Sequence, residues 1–298
     1  MTFTIRPGLV AGARPLSRLG DDAQSVAYDR FEVRPAGPTI GAEICGVDIG
    51  APVDEELFAQ LDRALLEWKV LWFRDQDITG GQHRDFARRW GDLEVHPFLP
   101  AGEVPEVVRF DKGPDQSGYE NIWHSDVSWR LEPSLGSVLR CITPAQRGGD
   151  TLWADMYMAY QCLDDETKQR IENLRAVHDF TASFGLGMDA DQLSDMREQY
   201  PPAEHPVVRT HPRTGRRLLY VNEVFTTHIV GLEAGESAAL LDHLSAQARI
   251  PEYQSRFRWE ANSVAFWDNR CTQHYAVSDY APQRRVMERA TIIGDRPR

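Results

Sequence analysis

The sequence predicts a mainly β fold with flanking helices, arranged as a double-sheet jelly roll or barrel. Many short apolar or alternating segments along the 298 residues have the length and the two-residue period of strands. The few helical patterns flank or interrupt these segments and do not alternate with them, as they would around a parallel βαβ sheet. No G-x-G-x-x-G sequence or P-loop follows a predicted strand, which leaves a nucleotide-binding fold with little support.

Two helices and a strand come first in the chain. In residues 54–68, leucines recur at helical spacing behind an acidic start, and residues 70–73 follow as a short apolar strand. The second helix begins after Thr79, a candidate N-cap, and ends at Gly91. Residues 1–30 lack sustained periodicity, so we expect a flexible N-terminal arm on a single domain of residues 31–298.

The remainder of the chain is strand-like. The predicted strands are residues 106–110, 122–128, 137–142, 151–154, 217–221, 263–267 and 288–293. Helical patterns interrupt them at residues 164–173 and 233–249. No repeat and no linker rich in proline, glycine and serine divides the chain, so these elements are expected to share one core.

The composition argues against several classes of partner. A formal net charge of −12 disfavours a nucleic acid or an anionic membrane surface. No apolar run approaches the ~20 residues of a membrane span, and arginines, prolines and glycines break the start of the chain where a secretory signal would be apolar. The four cysteines are scattered without a C-x-x-C pair, which favours reduced thiols in a cytoplasmic protein over a zinc ribbon or redox motif.

Two His-x-Asp sequences raise the question of a metal site. His83 and Asp85 lie in a predicted helix, where residues two apart point about 200° from each other and cannot grip one ion. His124 and Asp126 lie in a predicted strand, where residues two apart share a face. Only the second pair can chelate, although a surface strand with a hydrogen-bonded histidine is an open alternative for the pair alone.

A third candidate ligand is His274, in the segment FWDNRCTQHYAVSDY. Two imidazoles and one carboxylate on one face of an octahedral metal form the facial triad of non-haem Fe(II) oxygenases, which leaves three positions open for chemistry. A hydrolytic zinc site is a lesser alternative, because it more often uses three histidines or two with a glutamate, and H-E-x-x-H is absent.

A second constellation lies near the end of the chain. In PQRRVMERATIIGD, Arg285, Met287, Arg289 and Thr291 alternate onto one strand face. If that face lines the interior, two guanidinium groups enter it, and each requires an anion from the protein or from a small molecule. An Arg–Glu pair at a barrel mouth is the structural alternative for either arginine.

Taken together, these segments resemble the Fe(II)/2-oxoglutarate dioxygenases of the taurine dioxygenase (TauD/TfdA) family. The likeness runs from about residue 31 onward and includes LWFRDQDIT, VHPF, WHSDVSW, GGDTLWADM, YVNEVFTTHIV, WDNRCTQHYA and PQRRVMERATIIGD. Many ordered matches are more specific than any one of these motifs. The resemblance implies a double-stranded β-helix core, which is a cupin-like jelly roll.

The resemblance also implies a set of iron and cosubstrate ligands. His124, Asp126 and His274 would hold Fe(II), and 2-oxoglutarate would chelate it through its keto oxygen and the adjacent carboxylate, leaving one site for O2. The distal carboxylate of 2-oxoglutarate would be held by Arg285 and Thr151. Succinate and CO2 would be formed while a substrate C–H bond is hydroxylated.

The family's substrate pocket transfers less completely. By position, Arg289 matches the arginine that binds the taurine sulfonate, and the matching pocket residues are His96, Phe184 and Phe225. A family tyrosine is replaced by Leu99, and a family asparagine by Glu120 with Asn121 adjacent. Glu120 and Asn121 are therefore also candidate substrate residues, although Glu120 could meet an amine or point to solvent.

These departures put taurine itself in doubt but favour a small anionic substrate of the alkylsulfonate or sulfate ester type. The alternatives are a tailoring oxygenase acting on an amino-acid or other carboxylate metabolite, and a non-catalytic metal- or anion-binding protein of the same fold. We expect a homo-oligomer, a dimer or a tetramer, that binds neither nucleic acid nor membrane.

Overall fold

The computed structural model describes residues 16–20, 23–99, 103–114 and 120–298. Within these residues six α-helices occur, α1 Glu55–Trp68, α2 Gly80–Ala87, α3 Met156–Gln161, α4 Asp165–Ile171, α5 Ala190–Gln199 and α6 Ala234–Ser245. The same residues contain the strands β1 Glu32–Pro35, β2 Ala42–Cys45, β3 Val70–Phe73, β4 Val107–Lys112, β5 Ser134–Thr143, β6 Thr151–Asp155, β7 Arg175–His178 and β8 Ala203–Pro206. The later strands are β9 Val208–Thr210, β10 Arg217–Leu219, β11 Thr226–Ile229, β12 Gln254–Phe257, β13 Val264–Asp268, β14 Thr272–Ala276 and β15 Arg285–Ile293.

Two sheets enclose the part of the core that positions the site. The larger has seven strands in the order β1-β2-β3-β13-β5-β15-β4, antiparallel except for the parallel pair β2–β3. The smaller has the order β12-β6-β14. Aromatic and apolar side chains from both sheets meet between them, for example Trp153 of β6 and Trp267 of β13, whose ring centroids lie 5.7 Å apart. This two-sheet core confirms the predicted mainly β, jelly-roll fold.

The helices cover the outer faces of the sheets. Leu61 and Leu65 of α1 and Phe86 of α2 pack with Phe73 and Phe266 of the larger sheet. Both predicted helix starts are confirmed, because the Asp54 side chain accepts the Leu57 N–H and Thr79 forms a reciprocal capping box with Gln82. No helix in the described part of the chain is long and apolar enough to cross a membrane.

The predicted strand over residues 122–128 is wrong, while each of the other predicted strands overlaps an observed one. Only His124 pairs here, in an isolated antiparallel bridge with His274, and the chain then turns with Val127 at φ 46°. The side chain of Asn269 accepts the Asp126 N–H at 2.8 Å and donates to the Asp126 carbonyl at 3.0 Å. Because this amide takes both backbone groups of Asp126, no neighbouring strand continues the ladder there.

The described part of the predicted N-terminal arm is held against α1. Buried Glu67 accepts hydrogen bonds from Arg18 at 2.7 Å, Ser25 at 3.0 Å and Tyr28 at 2.8 Å. The rest of the predicted arm, residues 1–15 and 21–22, lies outside the described residues. Flexibility of the arm stays a prediction.

Candidate active site

The three predicted metal ligands converge on one point between the two sheets. The Nε2 atoms of His124 and His274 each lie 3.9 Å from Oδ1 of Asp126, and one potential ligand atom from each side chain lies within 4.8 Å of the others. The bridge between the histidines fixes this geometry, since His124 N–H donates to His274 O at 3.1 Å and His274 N–H donates back at 2.8 Å. The local backbone is a bridge followed by a turn, but it still places both members of the His-x-Asp pair on one side.

The protonation of the two histidines suits a cation. His124 Nδ1 donates to the Ile122 carbonyl at 2.7 Å, which leaves Nε2 as a lone-pair donor toward Asp126. Burial, together with the neighbouring His124, lowers the pKa of His274 to about 3. A neutral imidazole is the form that binds a metal, so the His274 ring is ready as a ligand at neutral pH.

Asp126 is a buried carboxylate that stays ionised. Burial alone would raise its pKa, but the positive charge of Arg289, with the hydrogen bond from Ser137, outweighs burial and holds the pKa of Asp126 well below its usual range. Arg289 Nη1 donates to Oδ1 at 2.7 Å, and the Ser137 hydroxyl donates to Oδ2 at 3.0 Å. A metal at the triad would therefore share or displace the contact between Arg289 and Oδ1.

The donor set fits a facial-triad iron site. The two imidazoles line a pocket and the Asp126 carboxylate lies beside them, so a hexacoordinate metal held by the three would keep positions open on its pocket side. A second group with metal-ligand spacing, His211, Asp268 and Cys271, does not fit. Its carboxylate accepts Arg270 at 2.9 and 2.7 Å and His211 at 3.1 Å, so the cation it needs is already a guanidinium.

The two side chains of the other His-x-Asp pair point in different directions, as their position in a helix predicts. His83 is fully buried with Nε2 2.8 Å from the Val138 carbonyl, whereas Asp85 is exposed and paired with Arg84. Burial lowers the pKa of His83 to about 4. The two side chains point in different directions, so they cannot share an ion.

One end of the pocket is built around Arg285. This guanidinium is buried, its Nε and Nη2 have no hydrogen-bond partner among the described residues, and burial lowers its pKa. The rings of Trp259 and Tyr280 lie 5.9 and 5.8 Å from its Cζ. A buried guanidinium with unused donors requires an anion, and Thr151 lines the same pocket with a hydroxyl. That Arg285 and Thr151 hold the distal carboxylate of 2-oxoglutarate stays a prediction.

The sequence interpretation missed one cation at this end. Lys112 lies directly opposite Arg285 in the β4–β15 register, and its Nζ lies 3.5 Å from Oε1 of Glu120. The predicted strand ended two residues before Lys112, and its position opposite Arg285 depends on the pairing of β4 with β15, which no local signal indicates. Glu120, a candidate substrate residue, lines this end near Arg285, and Asn121 is exposed, so a role of either in substrate binding stays a prediction.

Three other predicted substrate residues, His96, Phe184 and Phe225, form a group of rings beside His124 of the triad. Ring centroids of His96 and Phe184 lie 5.4 Å apart, those of Phe184 and Phe225 lie 6.2 Å apart, and those of Phe225 and His124 lie 6.4 Å apart. The Phe98 N–H donates to Nδ1 of His96 at 3.1 Å, so the proton of the neutral ring is on Nε2. That Nε2–H is buried and has no partner in the described chain, and burial, with Arg289 nearby, lowers the pKa of His96 to about 3.

Phe184 and Phe225 belong to a larger apolar cluster, which is called the apolar wall below. Its fully buried members are Val127, Trp129, Phe180 and Phe225, and its partly buried members are Phe98, Phe184, Met188, Leu193, Met196, Tyr200 and Val224. Three of the partly buried residues come from α5 and the residue before its N-cap. The unused N–H of His96 therefore lies near the Arg289 guanidinium and beside the rings of the apolar wall.

Comparisons with known proteins identify similar sequences and a similar solved structure. Residues 32–291 match the model of the family described as "Taurine catabolism dioxygenase TauD, TfdA family". The chain is 34% identical over 274 residues to an alkylsulfatase of Acinetobacter baylyi, with 89% of this chain and 86% of that protein covered. It is 35% identical over 277 residues to an alpha-ketoglutarate-dependent sulfate ester dioxygenase of Pseudomonas putida, covering 90% and 91%. The crystal structure of a taurine dioxygenase from Burkholderia xenovorans superposes with a TM-score of 0.78 at 38% identity, covering 90% of this chain and 93% of that one.

Proposed function

Because this chain belongs to the TauD, TfdA family and is a 2-oxoglutarate-dependent non-haem iron dioxygenase, we propose that its primary substrate is an alkyl sulfate ester. Family membership confirms the predicted enzyme class and the predicted use of Fe(II), 2-oxoglutarate and O2. The observation that carries the substrate proposal is the combination of Arg289 and the unused His96 Nε2–H with an apolar wall. Cytoplasmic location and homo-oligomer formation stay predictions.

The iron ligands in this proposal are His124, Asp126 and His274. With iron bound between them, the enzyme uses O2 and 2-oxoglutarate to form succinate and CO2 and to leave a hydroxyl group on a substrate carbon. Arg285 and the Thr151 hydroxyl hold the distal carboxylate of 2-oxoglutarate, which orients its other end toward the triad across the shared pocket.

Arg289 binds the sulfate group in this proposal. Its guanidinium is buried, so an anion that replaces or shares the Asp126 contact meets little competition from water. The Nε2–H of His96 is a second donor, while the alkyl chain lies along Phe184 and Phe225. Burial of the chain contributes about 0.8 kcal/mol per methylene group, which favours an alkyl ester over a short zwitterion such as taurine.

Hydroxylation at the carbon that bears the sulfate explains how such an ester is cleaved. The product carries a hydroxyl and a sulfate on one carbon; the hydroxyl proton is lost, a C=O bond forms and the C–O bond to sulfate breaks. An aldehyde and inorganic sulfate leave. No hydrolytic nucleophile is required, which agrees with a site that contains a facial triad and not a three-histidine zinc site.

A chain-length-matched panel tests this proposal. The enzyme is supplied with Fe(II), 2-oxoglutarate and hexyl sulfate, hexane-1-sulfonate, hexanoate or taurine, and O2 consumption, succinate and sulfate are measured. We expect hexyl sulfate to give the highest kcat/KM, with equal amounts of succinate and sulfate. Turnover of hexanoate alone would contradict the proposal and favour the tailoring oxygenase, and turnover of taurine alone would contradict the alkyl ester.

A further inference from the structure

A single buried hydrogen bond links Trp259 to the end of the pocket that Arg285 and Thr151 line, which is called the cosubstrate end below. The indole N–H of Trp259 donates to Oγ1 of Thr151 at 2.9 Å, and both residues are buried. The link follows from strand register, since Phe257 at the end of β12 pairs with Thr151 at the start of β6. Trp259 follows two residues after this pair and closes over the same strand end.

This bond determines what the threonine hydroxyl can do. An indole N–H only donates, so Thr151 Oγ1 must use one of its lone pairs to accept. The hydroxyl hydrogen then points elsewhere, and within the described residues no hydrogen bond donated by Thr151 Oγ1 is found. Thr151 lines the pocket beside Arg285, so its O–H is available to an acceptor there.

The pairing is selective among the buried tryptophans. In the described chain the indole N–H groups of five others have no partner, namely Trp68, Trp72, Trp129, Trp153 and Trp267. Trp259 is paired, and the atom it reaches belongs to a cosubstrate residue. Its ring also lies 5.9 Å from Cζ of Arg285, so one side chain contacts both groups that would hold the distal carboxylate.

We propose that Trp259 is a positioning residue whose indole N–H keeps the Thr151 hydroxyl oriented as a donor to the distal carboxylate of 2-oxoglutarate. The inference rests on the cosubstrate-binding role proposed for Thr151. Without the indole N–H, the hydroxyl is free to rotate and to donate to backbone acceptors, and the carboxylate loses an oriented donor.

The test is a double-mutant cycle read by binding. The variants are Trp259→Phe, Thr151→Val and the double variant. Their affinity for 2-oxoglutarate is measured anaerobically with Fe(II), by titration of the weak visible charge-transfer band that chelation of Fe(II) by 2-oxoglutarate produces. Calorimetry with Mn(II) gives a second value. Phenylalanine keeps an aromatic ring beside Arg285 and removes only the N–H and the second ring. We expect about a fivefold to tenfold rise in Kd for Trp259→Phe, and no further rise when it is added to Thr151→Val.

Trp72→Phe is the matched control. Trp72 is a buried indole of the same core cluster, and its N–H has no partner in the described residues, so this variant loses similar packing but no hydrogen bond. We expect its Kd for 2-oxoglutarate to match that of the wild type. Trp259→His, which retains a ring N–H, should bind 2-oxoglutarate more tightly than Trp259→Phe.

Three outcomes would overturn the inference. Equal Kd increases in Trp259→Phe and Trp72→Phe would assign the effect to packing. An undiminished effect of Trp259→Phe in the Thr151→Val background would show that it does not act through Thr151. If Thr151→Val itself binds 2-oxoglutarate like the wild type, the proposed role of Thr151 fails too, whereas the first two outcomes leave that role intact.

Discussion

Two arginines on one face of β15, four residues apart, are equally buried but differ in what they contact. Arg289 donates to Asp126 at 2.7 Å, whereas two nitrogens of Arg285 have no partner in the described chain and aromatic rings lie near its guanidinium. Arg285 therefore depends on an anion from outside the protein, while Arg289 already has one within it. In the proposed function, cosubstrate binding at Arg285 is thus preformed, whereas substrate binding at Arg289 depends on how Asp126 is shared with the metal.

The largest effect is expected at Arg285, two of whose nitrogens have no hydrogen-bond partner among the described residues. Arg285→Ala removes the charged donors for the distal carboxylate, so we expect kcat/KM for 2-oxoglutarate to fall by about 100- to 1000-fold. Steady-state kinetics with varied 2-oxoglutarate measure this. Arg284→Ala is the control, since Arg284 is exposed and bonded to Asp111; a comparable loss there would contradict the assigned role of Arg285.

Arg289→Ala should weaken binding of the substrate without weakening binding of 2-oxoglutarate. We expect the KM of the sulfate ester to rise by about 30- to 100-fold, because a charge-assisted contact is lost, with Kd for 2-oxoglutarate unchanged within about twofold. Metal affinity should not fall, since a positive charge beside Asp126 has been removed. Kinetics and anaerobic titration give both values, and equal weakening of substrate and cosubstrate would mean that the two arginine roles are merged.

A smaller effect is expected at the apolar wall. Phe184→Ala should raise the KM of hexyl sulfate by about fivefold to tenfold and that of ethyl sulfate much less, because only the longer chain loses apolar contact. Leu186→Ala is the control and should change neither value. Leu186 lies with Phe184 on a short 3-10 helix, Phe184–Gly187, but is 84% exposed. An equal effect on both esters would place the alkyl chain elsewhere.

The smallest effect on catalysis is expected at the other His-x-Asp pair. The pKa of buried His83 is lowered to about 4 from 6.5. Above pH 6.5 the histidine is neutral in both the folded and the unfolded protein. Between pH 6.5 and 4 it is protonated in the unfolded chain but stays neutral in the folded protein. The wild type should therefore lose about 3 kcal/mol of unfolding free energy between pH 6.5 and 4 through this residue.

Urea unfolding of the wild type and of His83→Leu at pH 7 and pH 4.5 checks this pH dependence. The variant should show a flatter pH dependence, while its affinities for Fe(II) and 2-oxoglutarate stay unchanged. Loss of metal binding in this variant would mean that effects at His124 are not specific to the site.

The sequence predicted which residues lie together at the triad better than it predicted the local backbone around them. The strand argument selected His124 and Asp126 over His83 and Asp85. Residues 126–129 nevertheless form a turn, because the side chain of Asn269, distant in sequence, hydrogen-bonds both backbone groups of Asp126. Periodicity along β15 predicted two buried arginines but could not show that only one of them contacts Asp126. Which of the two arginines contacts Asp126 depends on which turn packs against β15.

Other features depend on strand order, which no local pattern contains. Lys112 joins the cosubstrate end because β4 pairs with β15, and Trp259 reaches Thr151 because β12 pairs with β6. Neither pairing follows from the spacing of residues within one strand. The helix caps at Asp54 and Thr79, by contrast, are local and were predictable from residue type alone.

The most direct test of the account is anaerobic addition of Fe(II) and 2-oxoglutarate to the protein. Chelation of the cosubstrate at a triad of His124, Asp126 and His274 should produce a weak visible charge-transfer band in the wild type and in His83→Leu. The band should be absent from His124→Ala. Absence of the band from the wild type, or its persistence in His124→Ala, would contradict the proposed site.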